Sequence, residues 1–177
     1  TGAKKTVDGA LTSLDDVSKT ASTDPRPAYQ AFSRGVEQIE SSAETARARS
    51  IAIKTRAKEH HDKWLEELAG IQSEDVRKSA EERRQKALAS FQALDAQMAE
   101  VKTAYEPFIG LLKDIRVYLM NDLSPGGIAS IKGQARQASE RGREVEGKID
   151  KLVAEIAKVR NEIEITKPTA QPAAGYR

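Results

Sequence analysis

Apolar and small residues recur along this chain at alternating steps of three and four, the spacing of a helix with one buried stripe. The longest series is Ile128, Ile131, Ala135, Ala138, Gly142, Val145, Ile149, Leu152, Ile156, Val159 and Ile163, with Arg141, Glu144, Lys148 and Lys151 between. A second runs Phe91, Leu94, Met98, Val101, Tyr105, Phe108, Leu112, Ile115 and Leu119. It extends upstream through the smaller or more polar Val76, Ala80, Arg83 and Ala87. A third reads Phe32, Val36, Ile39, Ala43, Ala46, Ser50, Ile53, Ala57, His60, Trp64 and Leu68. A shorter piece, Val7, Leu11, Leu14, Val17 and Ala21, comes first, weakened by Gly9. The pattern predicts three long helices, over 27–69, 73–120 and 128–164, and one short helix before them.

Punctuation fits these limits. Pro25 and Pro27 open the 27–69 helix, Gly70 ends it, and Ser73 is placed to cap the next, with Glu74 and Asp75 in its first turn. Pro107 removes one backbone donor inside the 73–120 helix and predicts a kink near Thr103–Glu106. The segment "ITKPTAQPAAGYR" predicts an extended tail over 167–177, outside a single domain of 1–166.

Short corners force consecutive helices antiparallel. The expected fold class is therefore all-α: an elongated antiparallel coiled-coil bundle of three long helices, with the short N-terminal helix packing at one end. This register sets His60 near Arg83 and Ala43 near Glu100, and leaves a two-helix hairpin protruding around Gly70. Phe32, Tyr105, Phe108, Leu112, Ile115 and Leu119 fall where four helices would enclose the wider core. Ala43, Ala46, Ala57, Ala80 and Ala87 fall where fewer helices can approach closely. A charge at Leu112 or Ile156 is expected to cost several kcal/mol as an unpaired buried ion.

Composition narrows the function classes. Aromatics are only 5% of the 177 residues and charged residues 32%, which suits long amphipathic helices. A net charge of +2 provides no general attraction to nucleic acid or an anionic membrane, so nucleic acid is not an expected partner. With no cysteine, neither a disulfide nor a thiolate metal site can form. No apolar run approaches the ~20 residues of a membrane-spanning helix. The chain begins "TGAKK" without Met, which leads us to expect a removed upstream segment such as a signal peptide or lipid anchor.

The most site-like stretch is "NDLSPGGIASIKG" (121–133). Glycines at a helix N-terminus can bind an anion. A nucleotide loop, however, needs a preceding strand and a Gly-Lys-Ser/Thr ending, and Lys132 is followed by Gly133. A corner explains every residue. Asn121 ends one helix in a left-handed conformation, Ser124 caps the next, Pro125 takes its first position, and Gly126 and Gly127 leave room for packing.

"KEHHDKW" (58–64) offers His60 and His61 beside Trp64. Neighbouring helix residues diverge by about 100°, so the two cannot easily share a metal ion, and without a Glu-x-x-His pair a di-iron site is excluded. His60 on the seam is expected to pack beside Trp64, with a metal- or pH-responsive role as the alternative. Arg49, Arg56 and Lys63 form a basic stripe, and Arg47 and Lys54 a second, expected to pair with acidic neighbours including Asp95 and Glu100. There is no Gly-x-Ser-x-Gly elbow, the carboxylates lie on solvent-facing positions, and a narrow rod should lack a cleft of a few hundred Å³. The expectation is no enzyme, no cofactor and no metal ligand.

The stretches "KWLEELAGIQSEDVRKSAEERR" (63–84) and "YEPFIGLLKDIRVYLMNDLSPGGIASIKG" (105–133) resemble the bacterial family known as domain of unknown function 2959. The shared order is a Trp near the end of one long helix, a corner, an Arg/Glu-rich helix, a Pro-containing apolar stretch, and "IAS" opening the last helix. The likeness extends more weakly over about 30–160. It implies a helical coiled-coil protein, often with a lipoprotein-type N-terminal signal, and hence the periplasm or a membrane-anchored place in the cell envelope. No activity comes with it.

The function expected is a non-enzymatic scaffold or partner-binding rod of the envelope, with a protein partner met through Trp64 and His60 at the tip. A bundle laid on a membrane surface through amphipathic faces is the other alternative. The seams could also close between chains, as a homo-oligomer.

Overall fold

The computed structural model describes residues 2–166, and side chains as far as Asn161. Five helices follow in order: α1 (Gly2–Lys19), α2 (Arg26–Ala69), α3 (Glu74–Asn121), α4 (Pro125–Ser130) and α5 (Lys132–Thr166). The protein is all-α, with no strand among the described residues, and the long helices α2, α3 and α5 pack together. The predicted tail over 167–177 lies outside the described residues. At ~1.5 Å per residue, the 48 residues of α3 extend about 70 Å.

Both α2 and α5 pack on α3. Because α1 also packs on both α2 and α5, it lies across from α3 and closes a four-helix end. The fully buried side chains sit there: Leu14 and Val17 of α1, Phe32 and Val36 of α2, Phe108, Leu112, Ile115 and Leu119 of α3, and Val145 of α5. Two glycines set how near α1 comes. A Cβ on Gly35 would stand 2.8 Å from the Ala10 Cβ, and one on Gly142 would stand 2.6 Å from Leu11 Cδ1.

Polar pairs record the register. Between α2 and α3, Glu37 meets Arg116 at 3.5 Å, Glu40 meets Lys113 at 2.8 Å, and Lys54 meets Asp95, so rising numbers on one helix face falling numbers on the other. Between α3 and α5, Lys148 reaches Glu100 at 2.7 Å, and Arg141 donates to the Pro107 carbonyl at 2.7 Å. Lys4 ties α1 to Asp150 of α5 at 2.8 Å.

Several expectations need correction. The last helix is two: α4 ends at Ser130, Ile131 (φ −98°, ψ 8°) caps it, and α5 begins at Lys132, although Ile128 and Ile131 both stay buried. Glu100 turns to α5 and not to the Ala43 face of α2. In the first half of α3 the inward stripe is Arg84 and Leu88, whereas Val76, Arg83 and Ala87 are exposed. Ile53 and Ile156, expected in the core, are 42% and 47% exposed, past the level of the described part of α1.

Candidate functional site

The hairpin tip is built by the end of α2 and the start of α3. The Gly70 N–H donates to the Glu67 carbonyl at 3.2 Å, which closes α2. Ser73 precedes α3 with extended backbone (φ −72°, ψ 122°), and its side chain makes no cap hydrogen bond. Leu68 is buried between the helices and Trp64 half-buried. His60 is exposed and sets its ring edge against Trp64, with centroids 5.6 Å apart and planes at 86°.

His61, not His60, faces α3. Arg84 Nη1 lies 2.5 Å from His61 Nε2. A guanidinium only donates, so His61 Nε2 is the acceptor in this contact. Glu81 takes the other side of Arg84, accepting from Nε at 2.7 Å and Nη2 at 2.5 Å, and accepts again from Gln85 at 2.7 Å. The Arg84 bonds, then the Gln85 bond, draw the Glu81 carboxyl down to about 2. Arg84 is buried beneath this arrangement.

The sequence pattern missed this trio because two stripes share Ala57, Trp64 and Leu68. Steps of three then four select His60, and four then three select His61. Leu88 settles the matter: turning Leu88 inward in place of Ala87 removes more apolar surface from water. It brings Arg84, four residues earlier, with it. The spacing of Glu81 and Arg84 was the available clue.

No three His, Cys, Asp or Glu side chains come together to hold a metal among the described residues. At the corner, Ser124 Oγ accepts from the Gly127 N–H at 3.1 Å, and Pro125 opens α4. Asp122 Oδ1 accepts from the Ser124 N–H at 3.0 Å, and the Ser124 hydroxyl and N–H hold that carboxyl below the usual aspartate range. The same carboxylate lies against Gly127, where any Cβ would collide with it. Gly126 is exposed and meets no such neighbour, so only the second glycine is required for packing. Asn121 is not left-handed, since no described residue has positive φ; its side chain donates to the Val117 carbonyl at 2.8 Å. A carboxylate thus occupies the approach an anion would need.

Of the basic stripes, Lys54 pairs with Asp95 and Lys63 reaches Glu67 at 3.9 Å, while Arg47, Arg49 and Arg56 are exposed along α2. Two clefts flank α1, of about 220 Å³ beside Lys5, Arg34 and Gln38, and about 210 Å³ beside Asp15, Lys132 and Arg136. Both are below the roughly 300–1,000 Å³ of typical small-molecule sites.

These features define an all-helical bundle protein with a polar cross-link at its tip. Over residues 1–165 the chain matches the family described as Protein of unknown function (DUF2959), and it belongs to that family. The match starts well before the residue-30 limit of the resemblance seen in the sequence. No curated protein matches the chain, and no solved structure does. No helix among the described residues is long and apolar enough to cross a membrane.

Proposed function

We propose that this protein is a non-enzymatic rod of the bacterial cell envelope, an elongated antiparallel coiled coil that meets a protein partner through its α2–α3 tip. One observation carries this: cover is uneven. The buried core gathers at the end closed by α1, while the tip shows Trp64 half-buried, with Leu65 and Val76 exposed beside it. An aromatic ring among apolar neighbours with little intramolecular duty is the kind of anchor that interfaces use. The envelope setting is supported by the family resemblance.

A photo-crosslinking residue in place of Leu65 should trap a discrete partner in cells, and Trp64→Ala should abolish that adduct. An adduct that survives Trp64→Ala excludes the tip as the binding surface. Fractionation of cells expressing the full gene should recover the protein with the envelope, and recovery in the cytosol would contradict that setting.

A pH-responsive tip is a second reading, and the contact that favours it centres on His61 in place of His60. Protonating His61 would turn an acceptor into a cation facing Arg84, with Glu81 of α3 and with Lys58 and Asp62 of α2 as the other charges nearby.

A further inference from the structure

We propose that the cleft between α1 and α2 binds a hydroxylated phosphate ester, with Lys5 and Arg34 holding the phosphate. The cleft lies at the four-helix end, and the proposal does not rest on the reading of the Trp64 tip.

Two glycines shape the cleft. Gly35 is buried and lets α2 come so near that a Cβ on it would stand 2.8 Å from the Ala10 Cβ. Both residues line the cleft, and their close contact is its floor. Gly9 lines it too, and a Cβ added there would meet no atom within 4 Å. A near approach below and a missing side chain above leave a hollow of about 220 Å³.

Its charge is one-sided. Lys5 of α1 and Arg34 of α2 line the cleft, and no Asp or Glu does. Neither cation has an ion pair or hydrogen bond among the described residues. The acids nearest in the chain are engaged elsewhere: Asp8 bonds with Glu146, Asp16 pairs with Lys19, and Glu37 meets Arg116. Two like charges around one small concavity concentrate a positive potential that an anion relieves. Guanidinium and ammonium groups together suit phosphate oxygens.

The hydroxyls define the rest of the ligand. Ser13 Oγ donates to the Gly9 carbonyl at 2.9 Å, and Thr6 Oγ1 to the Gly2 carbonyl at 3.1 Å. Their protons go to α1, so toward the cleft both oxygens are acceptors. The exposed Gln38 adds an amide that can donate and accept. A phosphate carrying a short polyol has alcohol protons to give these acceptors. The volume, below that of drug-sized ligand sites, suits an ester as small as glycerol phosphate. A free ester and the head group of a phosphatidylglycerol lipid share this chemistry.

Calorimetric titration of the whole chain with glycerol phosphate should show saturable binding. Inorganic phosphate should bind roughly tenfold more weakly, and glycerol should not bind. Arg34→Gln should weaken the ester roughly tenfold or more. Gly9→Leu should fill the hollow and abolish binding. Its Cβ touches nothing and leucine suits a helix better than glycine, so the melting temperature should not fall. Lys132→Gln, in the other cleft beside α1, should leave binding unchanged. Flotation with phosphatidylglycerol vesicles separates the sources. Vesicles that carry the protein, and lose it with Gly9→Leu, make a lipid head group the ligand. Vesicles that float without it, while the soluble ester binds, make the ligand a free ester. Binding of neither ester nor vesicles would overturn the proposal. So would binding that survives both Gly9→Leu and Arg34→Gln, or inorganic phosphate binding as tightly as the ester.

Discussion

Leu112 and Ile156 hold equivalent places in the three-and-four spacing, yet the fold treats them differently. Leu112 is sealed among four helices, whereas Ile156 is 47% exposed past the level of the described part of α1. Urea denaturation should separate them: Leu112→Lys should cost several kcal/mol, and Ile156→Lys no more than about 0.5 kcal/mol. Spacing alone could not make that distinction, because a seam says which face is apolar and not whether a partner covers it. Nor could it show Glu146 beside Asp8. Burial, then the hydrogen bond and repulsion from Asp8, raise the Glu146 carboxyl above its ordinary 4.5. The folded state therefore holds this proton more tightly than the unfolded chain, and stability falls as pH rises through the raised value. Glu146→Gln should raise the melting temperature at pH 7, with the gain vanishing once pH is below about 4.5 and both states are protonated. A gain that persists there would show that charge is not the cause.

At the scale of elements, the helices and most of their limits were legible, since Pro25, Gly70 and Ser124–Pro125 act through local backbone chemistry. The break at Ile131 was not, because Ile128 and Ile131 keep their seam positions on either side of it. The stripe at the tip was ambiguous for the reason His60 and His61 compete: neighbouring positions satisfy the same spacing, and the choice belongs to the opposing helix. Glu81, held at about 2 beside Arg84, supports the tip above the ordinary glutamate value of 4.5, and that support is lost as pH falls toward about 2. Amide exchange, corrected for intrinsic rates, should show faster opening of residues 57–68 as pH falls below 4.5 toward about 2, and Glu81→Gln, which has no carboxyl to titrate, should flatten that dependence. An unaltered dependence would remove Glu81 from the account. Where α1 meets α2, Gly35→Leu should cost about 1–3 kcal/mol by forcing Ala10 away.

Across the whole molecule, cover is uneven among the described residues. α1 has 18 residues against 44 and 48 in α2 and α3, and it packs at one end of the bundle. Beyond that end, Ile53, Leu65, Val76, Val153 and Ile156 are exposed. The account depends on the seams closing within one chain, in the register that pairs Glu37 with Arg116 and Lys54 with Asp95. The absence of cysteine allows a direct measurement. Cysteines introduced as Glu37→Cys with Arg116→Cys, and as Lys54→Cys with Asp95→Cys, should each be bridged within one chain by a short bis-maleimide that spans the distance the original side chains covered, giving a product that migrates as a monomer. The mismatched pair Glu37→Cys with Asp95→Cys should not. Bridges that form only between chains, or preferentially in the mismatched pair, would contradict the fold and the tip built on it.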